Sequence, residues 1–276
     1  MKARRVPGKA DPTPRRLFPP RLDVWRRKAR VARKITLIAA AAALGAPLQL
    51  AFLRLWPGGA RALPLLFHRY ALAVMGVRRD VRGDSRGGAL LVSNHVSWLD
   101  IVVLSACRPM TFVGKSDIAG WPVFGTLARL QETLFVVRER RMGAADDANE
   151  TARRVGAGQG VTLFAEGTSS DGSDVLPFRS ALLAGAEGAN VPVQSVAIAY
   201  LARDGEPLDA QGRRDVAWYA DKLLAPHLLE IFALKSLEVR VEFGRAAVPD
   251  PQETRKALAR RLESEVRARV AAALRE

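Results

Sequence analysis

From about Val81 onward, short apolar runs alternate with stretches in which apolar residues recur at helical spacing. The short runs predict strands at 89–93, 111–113, 134–137, 161–164, 193–198 and 238–243. The intervening stretches predict helices at 97–106, 144–157 and 181–188. Because strands that alternate with helices form parallel sheets covered on both faces, the pattern predicts an α/β fold with a mostly parallel sheet flanked by helices.

A last helix is predicted by apolar residues spaced four apart: Leu258, Leu262, Val266, Val270 and Leu274. Asp250 is its expected N-cap, with Pro251 at the first helical position and Glu253 at the third. We expect this helix to have a structural role.

The residues before the alternating region are more continuously apolar. Residues 35–53 are uncharged, and 64–77 form a second apolar stretch that two ionisable residues interrupt. A single crossing by the first stretch would place the α/β region outside the cytosol, since the basic residues before it hold the amino terminus in the cytosol. We therefore expect a membrane-associated helical hairpin, bent near Gly45 and Pro47, that enters only the cytosolic leaflet.

The net charge of +15 belongs mainly to the amino terminus. Residues 1–34 carry 13 lysines and arginines against two aspartates, which leaves only +4 for the other 242 residues. A basic segment beside an apolar one favours anionic lipid headgroups, with a solvated leader as the alternative, and no nucleic-acid partner is expected. The expected organisation is a basic disordered tail, membrane-associated helices and an α/β domain on the cytosolic face of the inner membrane, at 1–34, 35–80 and 81–276.

The cysteine and histidine residues limit which disulfides and metal sites are expected. The single cysteine, Cys107, excludes an intrachain disulfide framework and suits a domain in the cytosol. Cys107, His68 and His227 have no ligand-like spacing, so we expect neither a metal nor another cofactor.

The strongest candidate for chemistry follows the strand predicted at 89–93. His95 and Asp100 are five residues apart there, and on a continuous helix Asp100 would be rotated about 140° away from His95. The two can meet only if His95 lies in the turn before the helix, which Ser97 as N-cap would provide. The alternative is a capping-box-like pattern in which Asp100 merely accepts hydrogen bonds from amides at the helix start.

A second polar cluster follows the strand predicted at 161–164. It begins with Glu166, Gly167 and Thr168 and continues to Gly172. Ligands bind at the carboxyl ends of strands in open α/β sheets, so both clusters are expected at one edge.

Together these segments resemble the glycerolipid acyltransferases of the lysophosphatidic acid acyltransferase family. The first motif of that family, N-H-x-S-x-x-D, is matched at 94–100. Its F-P-E-G-T-R motif is matched from Phe164, with Ala165 in place of proline and Ser169 in place of arginine. Between them lies a block ending in Arg138, and a V-P-V strand follows at 191–193, in the order of the family.

The resemblance implies an O-acyltransferase with this α/β fold. The donor would be acyl-CoA or acyl-carrier protein, and the acceptor a lysophospholipid, with 1-acylglycerol 3-phosphate as the first choice. His95 would be the general base and Asp100 would orient it, because an alcohol is a poor nucleophile until a base takes its proton. Arg138 would bind an anionic headgroup. The acceptor site would be shaped by Glu166, Gly167 and Thr168.

Two other functions remain open. The stretch E-G-T-S-S-D-G followed by L-P-F-R-S-A, at 166–172 and 176–181, is similar to relatives that acylate lyso-ornithine lipids, which makes that lipid the alternative acceptor. A non-catalytic membrane adaptor, using the basic tail and the apolar helices, is the alternative from a different class. An acyl-transfer assay against a panel of lysolipids distinguishes all three.

Overall fold

The computed structural model describes residues 21–136, 144–186 and 191–276. Its α-helices are α1 (Arg21–Leu55), α2 (Ala62–Met75), α3 (Leu99–Cys107), α4 (Phe124–Leu130), α5 (Ala144–Gly156), α6 (Ala210–Val216), α7 (Leu224–Ala233) and α8 (Arg255–Ala273). Its strands are β1 (Val77–Arg82), β2 (Leu90–Ser93), β3 (Met110–Lys115), β4 (Leu134–Val136), β5 (Gly160–Phe164), β6 (Val193–Arg203), β7 (Glu206–Pro207) and β8 (Leu237–Phe243). Two 3₁₀ segments add Ser116–Gly120 and Ser180–Ala186.

The strands form one mixed sheet in the order β1-β8-β6-β2-β5-β3-β4, with β7 paired to β6. The five adjacent strands β6, β2, β5, β3 and β4 run parallel to one another. Only β7 and β8 run antiparallel to β6, and β1 is parallel to β8. The predicted α/β class with a mostly parallel sheet is confirmed.

The central strands are buried on both faces, as their unbroken apolar sequences require. All four residues of β2 and all five of β5 are buried. One apolar core packs against one face of the sheet and includes Leu72, Leu99, Val103 and Ile231 from α2, α3 and α7. The other core includes Val155, Leu183, Leu258 and Leu262 from α5, the second 3₁₀ segment and α8.

The amino-terminal helices differ from the prediction in detail. α1 continues through Gly45 and Pro47 without interruption, so the expected bend there is wrong. The chain reverses instead around residues 56–61, where Trp56 accepts the amides of two following residues before α2 begins. Residues 21–34, grouped with the disordered tail, are helical, whereas 1–20 lie outside the described residues. The sheet begins at Val77, before the division predicted at residue 81.

Two helices also begin later than predicted. α8 begins at Arg255 rather than near Asp250, because the Thr254 side chain accepts the Ala257 amide at 3.3 Å and so caps it. Asp250 instead accepts the Gln252 amide in the turn before the helix. α3 begins at Leu99, two residues after the predicted cap at Ser97.

Candidate active site

The two polar clusters predicted from the sequence lie at one edge of the sheet. Ser93, the last residue of β2, is in register with Phe164 of β5 and with Val196 of β6. Because the three strands are parallel, the turns that follow β2 and β5 leave the sheet side by side. The Ser170 amide and hydroxyl both bond the His95 carbonyl, at 2.8 and 3.1 Å, which joins the two turns directly.

His95 and Asp100 form a hydrogen-bonded pair. His95 lies in the turn before α3, and its Nδ1 is 2.8 Å from Asp100 Oδ2. The same oxygen accepts the amides of Val96 and Ser97 at 2.7 and 2.9 Å. Asp100 therefore contacts both the imidazole and the amides at the helix start, as the catalytic and the capping interpretations each require. Asp100 replaces Ser97 as the residue that satisfies the first amides, and the Ser97 hydroxyl is buried without a partner among the described residues.

The remaining oxygen of Asp100 is held by Tyr200, which the sequence analysis did not single out. The Tyr200 hydroxyl donates to Asp100 Oδ1 at 2.7 Å, and both residues are buried. Burial raises the pKa of Tyr200 well above its usual value, and the neighbouring carboxylate raises it further. Tyr200 therefore stays a neutral donor. The signal in the sequence is weak, since Tyr200 lies two residues beyond the strand predicted at 193–198.

The imidazole of His95 is fixed from two sides. Its ring stacks on Phe164, with centroids 4.0 Å apart and planes inclined by 15°. Asp100 holds Nδ1, which leaves Nε2 without a hydrogen-bond partner in the part of the chain that the structure describes. The side chain is 17% exposed, so Nε2 is open to a substrate hydroxyl. This is the geometry of a base whose tautomer is set by a carboxylate.

Asn94 anchors this turn to β6. Its side-chain amide donates to the Ile198 carbonyl at 3.0 Å, and its oxygen accepts the Ile198 amide at 2.9 Å. The asparagine thus continues the pairing of β2 with β6 beyond Ser93, and it holds His95 at the sheet edge.

The turn after β5 contains Gly167 in the left-handed region, with φ of 72°. A Cβ there would lie 2.9 Å from the Arg179 side chain, so the position favours glycine for two reasons. Thr168 is exposed next to it. The Ser169 hydroxyl donates to the Trp218 carbonyl at 2.5 Å, and the Trp218 amide donates to the Val96 carbonyl at 2.9 Å. Ser169 therefore has a structural partner.

Glu166 is buried behind the same turn and only 2% exposed. Burial raises the pKa of Glu166 to about 8, and the Asp100 carboxylate adds to the rise. The backbone amides of His95 and Leu176 oppose it. Neither carboxyl oxygen has a hydrogen bond of normal geometry within the described residues. At neutral pH this side chain is therefore mainly protonated.

The structure brings five of the predicted site residues to one edge: His95, Asp100, Glu166, Gly167 and Thr168. Arg138 follows β4 but lies outside the described residues. Within the described ranges, no group of three or more His, Cys, Asp or Glu side chains is arranged to hold a metal ion. The arrangement offers one oriented base at an accessible turn, which suits deprotonation of a hydroxyl.

Comparison with known proteins identifies the family. The model of the family described as Acyltransferase matches residues 77–199, which include His95, Asp100 and the turn after β5. The lyso-ornithine lipid O-acyltransferase of Brucella abortus is 44% identical over 237 residues, which is 83% of this chain and 89% of that protein. The chain belongs to the acyltransferase family. The pair His95 and Asp100 of this acyltransferase fits the HX4D motif.

Two further proteins are similar to this acyltransferase. The 1-acyl-sn-glycerol-3-phosphate acyltransferase of Neisseria meningitidis is 36% identical over 185 residues, 67% of this chain and 70% of that protein. The crystal structure of the 1-acyl-sn-glycerophosphate acyltransferase PlsC from Thermotoga maritima superposes with a TM-score of 0.66, covering 91% of this chain and 97% of that one. At 19% identity this likeness concerns the fold.

Proposed function

We propose that this acyltransferase moves a fatty acyl group from an acyl thioester to the free hydroxyl of lyso-ornithine lipid. The observation that carries the choice of acceptor is the similarity to the Brucella abortus relative, at 44% identity over most of both chains, against 36% for the Neisseria meningitidis relative. This reverses the order of the two acceptors in the sequence analysis, where 1-acylglycerol 3-phosphate came first.

The environment of Ser169 supports the same acceptor. Phosphate recognition depends on charge-assisted, often bidentate contacts that a serine does not make. Here the Ser169 hydroxyl is also occupied by the Trp218 carbonyl. The position that carries arginine in the F-P-E-G-T-R motif therefore contributes no cation for a phosphomonoester.

The reaction uses His95 as general base. Nε2 takes the proton of the acceptor hydroxyl while that oxygen attacks the thioester carbon. The tetrahedral intermediate then collapses, the carbon–sulfur bond breaks, and the imidazolium returns its proton to the leaving thiolate. Asp100 holds Nδ1 and stabilises the imidazolium, so no covalent acyl-enzyme forms. The acyl donor, acyl-CoA or acyl-carrier protein, is a substrate.

The residues of the turn after β5 contribute through position. Gly167 and Thr168 are the more exposed residues of this turn, and Glu166 is buried and mainly protonated. Arg138 remains a proposed headgroup ligand on the family motif alone.

The acceptor is tested by measuring kcat/KM side by side for lyso-ornithine lipid, 1-acylglycerol 3-phosphate and a neutral lysolipid, at a fixed acyl-CoA concentration. We expect at least a tenfold preference for lyso-ornithine lipid. A preference for 1-acylglycerol 3-phosphate would restore the first choice. Absence of transfer to any of the three lysolipids, in this assay and in a repeat with acyl-carrier protein as donor, would favour the membrane adaptor.

The amino-terminal helices support a membrane-associated enzyme. Part of α1 is long and apolar enough to cross a bilayer, by length and composition only. However, Lys34 donates to the Met75 and Leu234 carbonyls at 2.6 and 2.8 Å, and Gln49 donates to the Leu130 carbonyl at 2.9 Å. These two anchors are about 22 Å apart along the helix. α1 is therefore held against the α/β region over most of the length that a crossing needs.

The free face of these helices is apolar. Its exposed large apolar side chains include Leu37, Leu44, Leu48, Leu55, Trp56, Leu66 and Tyr70, and Val123 and Phe124 are exposed near the start of α4. An apolar face of this kind is typical of proteins that lie in one leaflet. We therefore place α1 and α2 in the cytosolic leaflet of the inner membrane, where acyl thioesters can reach His95.

A further inference from the structure

The Arg179 side chain lies across the turn that carries the candidate site. Its backbone amide donates to the Ala165 carbonyl at 2.8 Å, which places it beside the end of β5. Its Cδ and Nε lie 2.9 and 3.1 Å from where a Cβ of Gly167 would be. The same turn holds Phe164 against the His95 ring. The Arg179 side chain, including part of its guanidinium, is thus packed against Gly167 of this turn.

The guanidinium of Arg179 differs from those around it. Arg267 donates to Glu263 at 3.0 Å, and Arg213 donates to the Leu208 carbonyl at 2.7 Å. Arg179 is exposed, and its guanidinium donates to no oxygen within the described residues. A fixed stem with an unpaired planar cation is suited to an anionic group that arrives with a ligand.

We propose that Arg179 binds the carboxylate of the acceptor headgroup. Arg179, from a different segment of the chain, would supply the cation that Ser169 does not. An ornithine acylated on its α-amine keeps its α-carboxylate, which matches the bidentate geometry of a guanidinium. Gly167 permits the contact because any larger residue would displace the arginine stem. The inference rests on the proposed function and adds to it the residue that selects the acceptor.

The experiment pairs a change in the protein with a change in the lipid. The acceptors are lyso-ornithine lipid and its α-carboxamide, and the proteins are the full-length wild type, Arg179→Gln, Arg179→Lys and Arg260→Gln. Arg260 is the matched control, since it is exposed on α8 and has no ion pair among the described residues. For each combination, kcat/KM for the acceptor is measured at saturating acyl-CoA, and the KM of acyl-CoA is measured at saturating acceptor.

We expect wild type to prefer the carboxylate over the carboxamide by about tenfold, the scale of one hydrogen-bonded charge pair. Arg179→Gln should lose about tenfold on the carboxylate acceptor and nothing on the carboxamide, so that the preference disappears. Arg179→Lys should recover part of it, and Arg260→Gln should match wild type.

Four outcomes would overturn the inference. Equal losses on both acceptors would indicate a structural role, and an increase in the KM of acyl-CoA alone would assign the cation to the donor phosphates. A wild-type enzyme that acylates lyso-ornithine lipid while Arg179→Gln keeps its full preference would leave the proposed function intact and remove Arg179 from it. A wild-type enzyme that does not acylate lyso-ornithine lipid would overturn both.

Discussion

Tyr200 donates a 2.7 Å hydrogen bond to the oxygen of Asp100 that does not face His95. The carboxylate is therefore held from both sides, by two backbone amides and the imidazole at Oδ2 and by the phenol at Oδ1. A buried carboxylate that accepts this many donors keeps its orientation. The base is thus positioned by a network that extends from the turn before α3 to β6.

Removing the phenol should weaken this network. In Tyr200→Phe one buried oxygen of Asp100 loses its donor, which costs about 1–3 kcal/mol of folding free energy. We expect a lower Tm and a several-fold lower kcat, with the KM of the acceptor unchanged, because Tyr200 acts through Asp100. Tyr70→Phe, at an exposed position on α2, is the control and should behave as wild type. A rise in KM with unchanged kcat would place Tyr200 in substrate binding instead.

The variant Asp100→Asn should separate the two effects of Asp100 on His95, which are to orient the imidazole and to stabilise its charged form. The amide can still accept the backbone donors with its oxygen and donate to the Tyr200 hydroxyl, so we expect a folded protein. It no longer stabilises an imidazolium, and kcat should fall at least about 100-fold. Circular dichroism, thermal unfolding and acyl transfer on the same preparation check this prediction. Asp100→Asn with near-normal kcat would leave Asp100 with only its capping role.

The raised pKa of Glu166 predicts how stability depends on pH. Between pH 4.5 and about 8 the folded protein keeps this proton while the unfolded chain has lost it, so this group's contribution to stability falls as the pH rises through that window. Glu166→Gln removes the effect. We expect the Tm of Glu166→Gln, relative to wild type, to increase from pH 5 to pH 8. A constant difference over that range would mean that the carboxyl titrates normally.

The membrane arrangement predicts the accessibility of the segment between α1 and α2. Gly58→Cys is introduced without Cys107, and Glu206→Cys is the control on the α/β domain; both positions are exposed. An impermeant thiol reagent added to intact cells should label neither position, and inverted vesicles should allow labelling of Glu206→Cys. Labelling of Gly58→Cys from outside would show that α1 crosses the membrane.

Local patterns in the sequence account for most of the fold. Apolar runs located the buried strands around β2, β5 and β6 because such strands need no alternation. The same patterns missed β1, whose four central residues are charged or exposed and whose place depends on pairing with β8. The bend expected in α1 was wrong because contacts with α2, α4 and α7 support the helix through Pro47.

The candidate site was predictable only where its residues are close in sequence. His95 and Asp100 share one turn, and their spacing indicated their contact. Tyr200 reaches Asp100 from 100 positions away, and Arg179 reaches Gly167 from a segment without regular strand or helix. Such contacts depend on sheet order and loop path, which local periodicity does not contain.

The most direct test of the account is the kcat of purified His95→Ala, measured with saturating acyl-CoA and lyso-ornithine lipid. Asp100 keeps its three other donors in this variant, so the fold and the membrane association should persist and the Tm should change little. We predict that kcat falls by about 10² to 10⁴, the usual effect of removing a general base. A His95→Ala enzyme with wild-type kcat would contradict the mechanism.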